Sequence, residues 1–313
     1  MSDAHETVSD NLHWFGATPT LSVLIPFLRD DPSGLMAALG RQVRAHRNLI
    51  ELVVFDDGSR DDLLARRVEA AVKRSPLPAR FVRSQNNLGR ARGRNRLAEA
   101  ARGGWLLFLD SDMLPDSHLF LQTYIDLIDQ LAPPVVFGGF SLNQAPRRRE
   151  HALHRRMALA TDCAPVLERR KAPEKHVFTS NLLVRRGLFE SEAFDESFTG
   201  WGWEDVEWAM RVSRQAPILH IDNTATHLGL DAAPAMARKY EQSAANFARV
   251  VRGHRDIVER YPSYRAARTL KRLPLRAAWR PLLKAFALAD LAPLAARALA
   301  MRLYRAALYA EAV

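Results

Sequence analysis

Short apolar runs that stop abruptly at carboxylates constrain this chain more than any other feature. Residues 21–25 (LSVLI) end at Pro26, residues 51–55 (ELVVF) end at Asp56-Asp57-Gly58-Ser59, and residues 105–109 (WLLFL) end at Asp110-Ser111-Asp112. Runs of this length bounded by turn residues read as buried strands. Between them lie helical stretches: 34–46 with Ser33 as cap, 59–74 opened by a Ser59/Asp62 capping box, and 87–102 capped by Asn87 and closed by Gly103. A further short strand covers 79–83. Strands alternating with helices predict an α/β fold with a mostly parallel sheet. In such sheets ligands bind beyond the carboxyl ends of the strands. Asp56, Asp57, Asp110 and Asp112 all stand at such ends.

Beyond residue 115 the reading continues with a helix over 116–131 and a strand over 135–140. A polar, basic connection follows over 141–175, carrying Arg147-Arg148-Arg149, Arg155-Arg156 and Arg169-Arg170-Lys171. A connection of that length is usually functional or mobile. A strand over 177–184, a helix over 204–215, a strand over 218–221 and a helix over 235–253 complete the body.

Composition narrows the classes. In 313 residues, 48% hydrophobic and 26% charged residues exclude a wholly disordered or collagen-like chain. One cysteine, Cys163, excludes an intramolecular disulfide framework and a cysteine-rich zinc site. The formal charge is +10, but from Arg265 onward ten lysines and arginines face only Asp290 and Glu311, so that tail carries +8 of it. The body is nearly neutral, and no nucleic-acid partner is expected. Residues 1–20 lack a basic-then-apolar signal pattern. The most apolar stretch, 285–301, is interrupted by Asp290, Pro293 and Arg297, whereas a spanning helix needs about 20 apolar residues. The chain therefore reads as cytoplasmic, with an N-terminal tail (1–20), a catalytic domain (21–260) and a basic helical tail (261–313). That tail either packs on the body or lies on an anionic membrane surface.

Four motifs carry chemistry. Asp110-Ser111-Asp112 after a buried strand is either a solvated turn or a site for a hard cation shared with phosphates. Asp56-Asp57-Gly58-Ser59 is either a turn and cap or a place where a carboxylate accepts bonds from a base or ribose. The stretch N-L-G-R-A-R-G-R-N from Asn87 offers helix N-terminal N–H groups and two arginines, Arg90 and Arg94, on one face, a combination that suits a diphosphate. Gly200-Trp201-Gly202-Trp203-Glu204-Asp205 alternates glycine with tryptophan before two acids. It reads as a flexible loop presenting aromatic faces to a sugar, with a general base behind it, or as core tryptophans with acids favourable at a helix start. His227 is a candidate metal ligand; His220, inside a strand, is a packed histidine.

In order and spacing these motifs resemble family-2 glycosyltransferases of the GT-A fold. Thr179-Ser180-Asn181, Phe194-Asp195-Glu196 and the tryptophan loop resemble the acceptor side of chondroitin-polymerase-like and galactosyltransferase-type enzymes. The resemblance spans about residues 21–230. It implies that Asp57, with Asp56, holds the uridine of a nucleotide sugar, with Pro26, Asn87, Arg94, Asp110 and Ser111 around the donor. It implies that Asp112, Asp110 and His227 hold Mn²⁺ or Mg²⁺, that Asp205, with Glu204 beside it, is the base of an inverting transfer, and that Trp201, Trp203 and Asn181 meet the acceptor. Trp203 departs from the pattern, since related galactosyltransferase-type sequences often carry another glycine there. The expected activity is metal-dependent transfer from a UDP-sugar to a glycan or lipid-linked acceptor in polysaccharide or glycoconjugate synthesis. The alternatives are a non-catalytic binding or scaffolding protein on the same fold and a nucleotidyltransferase.

Overall fold

The computed structural model describes residues 6–42, 48–274 and 276–313, with the side chains of 276 and 277 outside the description. Eleven strands are described: β1 (Glu6–Asp10), β2 (Leu21–Phe27), β3 (Ile50–Asp56), β4 (Ala79–Ser84), β5 (Trp105–Phe108), β6 (Met113–Pro115), β7 (Val135–Phe137), β8 (Phe140–Ser141), β9 (Leu182–Arg185), β10 (Ile218–His220) and β11 (Ala225–His227). Eight of them form one sheet in the order β1-β4-β3-β2-β5-β9-β7-β10, and β6-β11-β8 form a second, small one. In the large sheet β4-β3-β2-β5 and the β7-β10 pair are parallel, while β1 and β9 run antiparallel to their neighbours.

The central strands are apolar on both faces because helices cover both. Leu21, Val23 and Ile25 of β2 and Ile50, Leu52 and Val54 of β3 pack under the helices Ser33–Gln42, Asp62–Lys73 and Phe120–Leu131. The alternate residues Leu24, Val53 and Phe55 pack on the other side with Ala91, Leu97, Phe189 and Trp208. Two-fold side-chain alternation thus builds two cores from one strand. Each fully buried Val, Leu, Ile or Phe side chain contributes about 1.5–3 kcal/mol.

Several boundaries differ from the sequence reading, each for a local reason. The helix after β3 is Asp62–Lys73, capped by Asp61, whose carboxylate accepts from the Leu63 and Leu64 N–H groups. Ser59 is no cap, because its N–H and hydroxyl both donate to Asp56. The next helix is Arg90–Ala100, preceded by Gly89 at φ +84°, so Asn87 is not its cap. The expected strand over 177–184 begins as a 3-10 turn, Thr179–Asn181, and becomes β9 only at Leu182. The helix expected over 34–46 is Ser33–Gln42 as far as it is described; 43–47 lie outside the described residues. Within 1–20, β1 adds an edge strand to β4, with Asp10 pairing with Arg80 and Glu6 with Arg96.

The last three helices, Pro262–Lys271, Arg276–Leu288 and Leu294–Tyr309, lie against the body. Met301, Tyr304 and Ala298 pack with Met236, Ala237 and Tyr240 of the long helix Ala233–Gly253. No helix among the described residues is long and apolar enough to cross a membrane.

Candidate active site

The site lies past the carboxyl ends of β2, β3 and β5, closed on one side by the small sheet. Asp56 ends β3 and is fully buried, its carboxylate held by Ser59 and by Arg83 Nε at 3.1 Å. That withdraws Asp56 from the donor set: it shapes the turn. Gly58 turns at φ +73°, and a Cβ there would stand 2.4 Å from the Asn86 carbonyl carbon, so the turn requires glycine. Asp57 points the other way. Its oxygens accept from Leu88 N at 2.6 Å and Gly89 N at 3.1 Å. The amide groups expected to meet a phosphate are therefore occupied by Asp57. Burial pushes the Asp57 carboxyl up to about 6, against the pull of those two N–H groups and the Arg94 charge.

Arg94 is 3% exposed and joins two motifs. Its Nη2 reaches Asp110 Oδ1 at 2.5 Å and its Nη1 stands 3.9 Å from Glu204 Oε1. Locked between carboxylates, Arg94 is not presented to a diphosphate. Arg90, one turn earlier and more exposed, is 3.6 Å from the same Glu204 oxygen and faces the mouth of the site. Asn87 is exposed, Ser111 half-buried, and Pro26 sits inside β2.

The small sheet places the candidate metal ligands. β11 pairs antiparallel with β6, setting His227 opposite Met113, and Leu228 N donates to Asp112 O at 2.9 Å. His227 Nε2 then meets Asp112 Oδ2 at 3.0 Å. Burial pulls the imidazole down, but the Asp112 bond and charge outweigh it and hold His227 above its ordinary value. The same contact outweighs burial at Asp112 and holds that carboxyl low. Gly229 leaves room for this pair, since a Cβ there would be 2.0 Å from Asp112 Oδ2. Asp110 is turned to Arg94. No group of three His, Cys, Asp or Glu with metal-ligand geometry occurs among the described residues. An oxygen and an imidazole nitrogen suit Mn²⁺ or Mg²⁺ only with further oxygens from phosphates or water.

The tryptophan loop is not mobile in the way its glycines suggest. Gly200, Gly202 and Trp203 all adopt positive φ, at +74°, +89° and +78°. Asn246 Nδ2 donates to Thr199 O and Gly202 O, tying both ends of the turn to the long helix. Trp203 packs 5.0 Å from the Phe247 ring, and its Nε1 donates to the Tyr309 hydroxyl at 3.0 Å. Its ring is thus a support under the loop and not an acceptor platform. Trp201 lies over Tyr240 and beside Lys239, partly exposed toward the cleft. Asn181 is fully buried: it accepts from Tyr124 and donates to Gly139 O and Asn223 O, which removes it from the acceptor set.

Glu204 and Asp205 open the helix Glu204–Val212. Glu204 is buried against Arg90 and Arg94, whereas Asp205 is half-buried. Burial and then the Glu204 charge raise the Asp205 carboxyl to about 7, opposed by Arg94. A carboxylate tuned to that value is suited to take a proton near neutrality.

Sequence reading missed Asn246, Tyr309, Lys239 and His154. Lys239 Nζ binds Asp231 at 2.6 Å, and the His154 ring lies 6.0 Å from that of His227. None stands in a motif; Asn246 was readable only as a polar residue on a mostly apolar helix face.

A mostly parallel α/β sheet with acids at its strand ends and an Asp112–His227 pair beside them is an architecture found in known proteins. Solved structures share it. A mannosyltransferase from Pyrobaculum calidifontis, PcManGT, in complex with GDP-Man and Mn²⁺, superposes with a TM-score of 0.60 at 17% identity over 95% of this chain and 88% of that one. S. aureus TarS 1–349 in complex with UDP-GlcNAc does so at 0.51, 18% identity, 91% and 89%. Residues 22–191 match the glycosyl transferase family 2, and the chain belongs to that family. It is 30% identical over 228 residues to the validoxylamine A glucosyltransferase of Streptomyces hygroscopicus subsp. limoneus, an alignment taking in 63% of this chain and 49% of that one. The chain thus spans about half the length of that curated relative. It has the GT-A fold of family-2 glycosyltransferases.

Proposed function

We propose that the protein transfers a sugar from a UDP-sugar to a hydroxyl of a glycan or glycolipid, with inversion and with the help of a divalent cation, in polysaccharide or glycoconjugate synthesis. The observation that carries this reading is Arg94, whose guanidinium joins the Asp110-Ser111-Asp112 turn to the Glu204-Asp205 pair and so brings donor end and base within one residue's reach. Asp57 holds the nucleoside. Asp112 and His227 would hold Mn²⁺ or Mg²⁺ together with oxygens of the donor, and a cation there would neutralise charge on the leaving diphosphate. Arg90 steadies that diphosphate. Asp205 removes the acceptor proton as the hydroxyl attacks the anomeric carbon from the face opposite the leaving group, help worth about 10²–10⁴-fold. Trp201 offers the acceptor an aromatic face.

The catalytic unit is 21–260, and residues 261–313 brace it. The brace also carries an outward apolar face, with Trp279, Leu282, Phe286, Leu291 and Leu299 each more than 45% exposed among basic residues, and this face rests on an anionic membrane. PcManGT, bound to GDP-Man and Mn²⁺, supports a metal, and TarS, bound to UDP-GlcNAc, supports a UDP-sugar as one of the two donor classes. A screen of UDP- and GDP-sugars with and without Mn²⁺ tests the reading. Cation-dependent release of UDP is the expected result; pyrophosphate release instead would identify a nucleotidyltransferase, and no turnover of any donor would leave a binding protein.

A further inference from the structure

A second cleft, of about 620 Å³, opens beside the active site between the 140s turn, the segment around Val166 and the loop after β10. Phe140, Val166, Leu167 and Ile221 give it apolar walls; Arg169, Arg170 and Asp222 supply its charges. Arg169 is 2% exposed, yet no carboxylate lies within 4 Å of its guanidinium among the described residues. The group is fixed instead by neutral acceptors: Nη2 donates to Ile221 O at 2.9 Å, and Nη1 donates to Phe137 O and to His220 Nδ1, both at 3.3 Å. His220 can accept there because its Nε2–H is given to Pro173 O. The Arg169 Nε has no hydrogen-bond partner among the described residues. Burial lowers the Arg169 pKa by more than Asp222 restores. Next to it Arg170 is exposed, anchored among the described residues by the carbonyl of His220. A buried charge without a counter-charge is costly and strongly destabilising unless something answers it.

The cleft and the reaction centre share a wall, since the Phe140 ring lies 5.1 Å from the ring of His227, the partner of Asp112. We infer that this cleft binds an oxyanion carried by the acceptor, a carboxylate or a phosphate ester, so that the glycosyltransferase acts on acidic acceptors. The inference rests on the transfer reading above and names its substrate class. Arg170 captures the anion at the rim, Arg169 supplies the fixed positive field beneath it, and the apolar wall takes the adjoining sugar or lipid carbons. Asp222 at the rim weakens binding of anions.

Cys163 lines the cleft and is the chain's single cysteine, which gives a located readout. The experiment measures alkylation of Cys163 in the full-length protein by a neutral maleimide, at constant ionic strength, with glucose, glucuronate or glucose 6-phosphate added. Protection by glucuronate, by glucose 6-phosphate or by both, and none by glucose, is the expected result, and which anion protects identifies the carboxylate or the phosphate ester. Arg170→Gln should weaken that protection by about 10-fold or more, the loss of one charged hydrogen bond, and Asp222→Asn should strengthen it. Absence of protection by either anion, equal protection by glucose, or protection unchanged in Arg170→Gln overturns the inference. UDP release from the donor is followed in the same preparations. That readout, taken on the wild type with no acceptor added, does not depend on the cleft, so a failed cleft leaves the transferase reading standing, and absent donor turnover counts against that reading alone.

Discussion

Asp205, the proposed base, is a carboxyl whose ionisation is opposed by burial and by Glu204. Transfer should therefore rise with pH through about 7 as Asp205 ionises, and Glu204→Gln, which removes the neighbouring charge, should move that limb to lower pH. The same shift acts on stability. A carboxyl whose folded pKa is raised stabilises below its unfolded value of about 4, and that contribution is lost as pH rises through about 7. Asp205→Asn removes the ionisation. It should abolish transfer, leave UDP-sugar affinity nearly intact, and melt at a higher temperature than the wild type above pH 7. Calorimetric donor titration beside a pH-dependent melting series checks both; near wild-type turnover would move the role to Glu204. At the other end of the site, Asp112→Ala and His227→Ala should weaken donor binding only when Mn²⁺ or Mg²⁺ is present. Gly229→Ala should do the same, because its new methyl meets the Asp112 carboxylate. Equal donor affinity with and without EDTA would remove the cation from the binding scheme.

At the scale of elements, the tryptophan loop depends on two helices far along the chain. A non-glycine residue at φ +78° costs of order 1–3 kcal/mol and persists only where its surroundings fix it. Those surroundings are Asn246 below the turn and Tyr309 under the Trp203 ring, the latter also bonded to Ser243 and stacked 4.2 Å from Phe247. Trp203→Ala should accordingly lower kcat and the melting temperature while leaving the acceptor KM nearly unchanged. A selective rise in acceptor KM would restore the stacking role. Tyr309→Phe, which deletes only the hydroxyl, should cost about 1 kcal/mol in a denaturant titration and reproduce part of the kcat loss. Truncation at residue 263 removes this support, so it tests catalysis as much as any membrane role of the tail.

The whole molecule is held in register by a buried polar knot at the start of the sheet. Glu51 of β3 is fully buried and accepts from Ser22 Oγ of β2, from Arg102 N and from Arg102 Nε. Arg102 in turn lies 3.6 Å over the Trp14 ring. Glu51→Ala leaves the Ser22 hydroxyl and the Arg102 N–H without their acceptor, so it should destabilise by about 1–3 kcal/mol, read as a lower denaturant midpoint. Membrane attachment is tested without disturbing that frame by replacing Trp279, Leu282 and Phe286 with serine. Full-length protein should sediment with anionic vesicles at low salt and the triple variant should not; equal behaviour of the two would leave the tail as a brace alone.

The sequence by itself determined the α/β alternation, the strand ends and the acids on them, because strand burial and turn chemistry are local and leave their period in the residues. It also placed Asp57, Asp112, His227 and Asp205 at elements that converge. What it could not hold is which neighbour each side chain meets. Asp56 and Asp57 are adjacent and chemically alike, yet only the tertiary structure turns one into the turn and the other toward Leu88 and Gly89. Arg94 reads as a phosphate ligand until Asp110 and Glu204 close on it from distant segments. Trp203 reads as a sugar platform until a helix about a hundred residues later slides Tyr309 beneath it. Partners of that kind are set by packing across the whole chain, where an unpaired buried charge or ring is too costly to leave, and no local pattern records them.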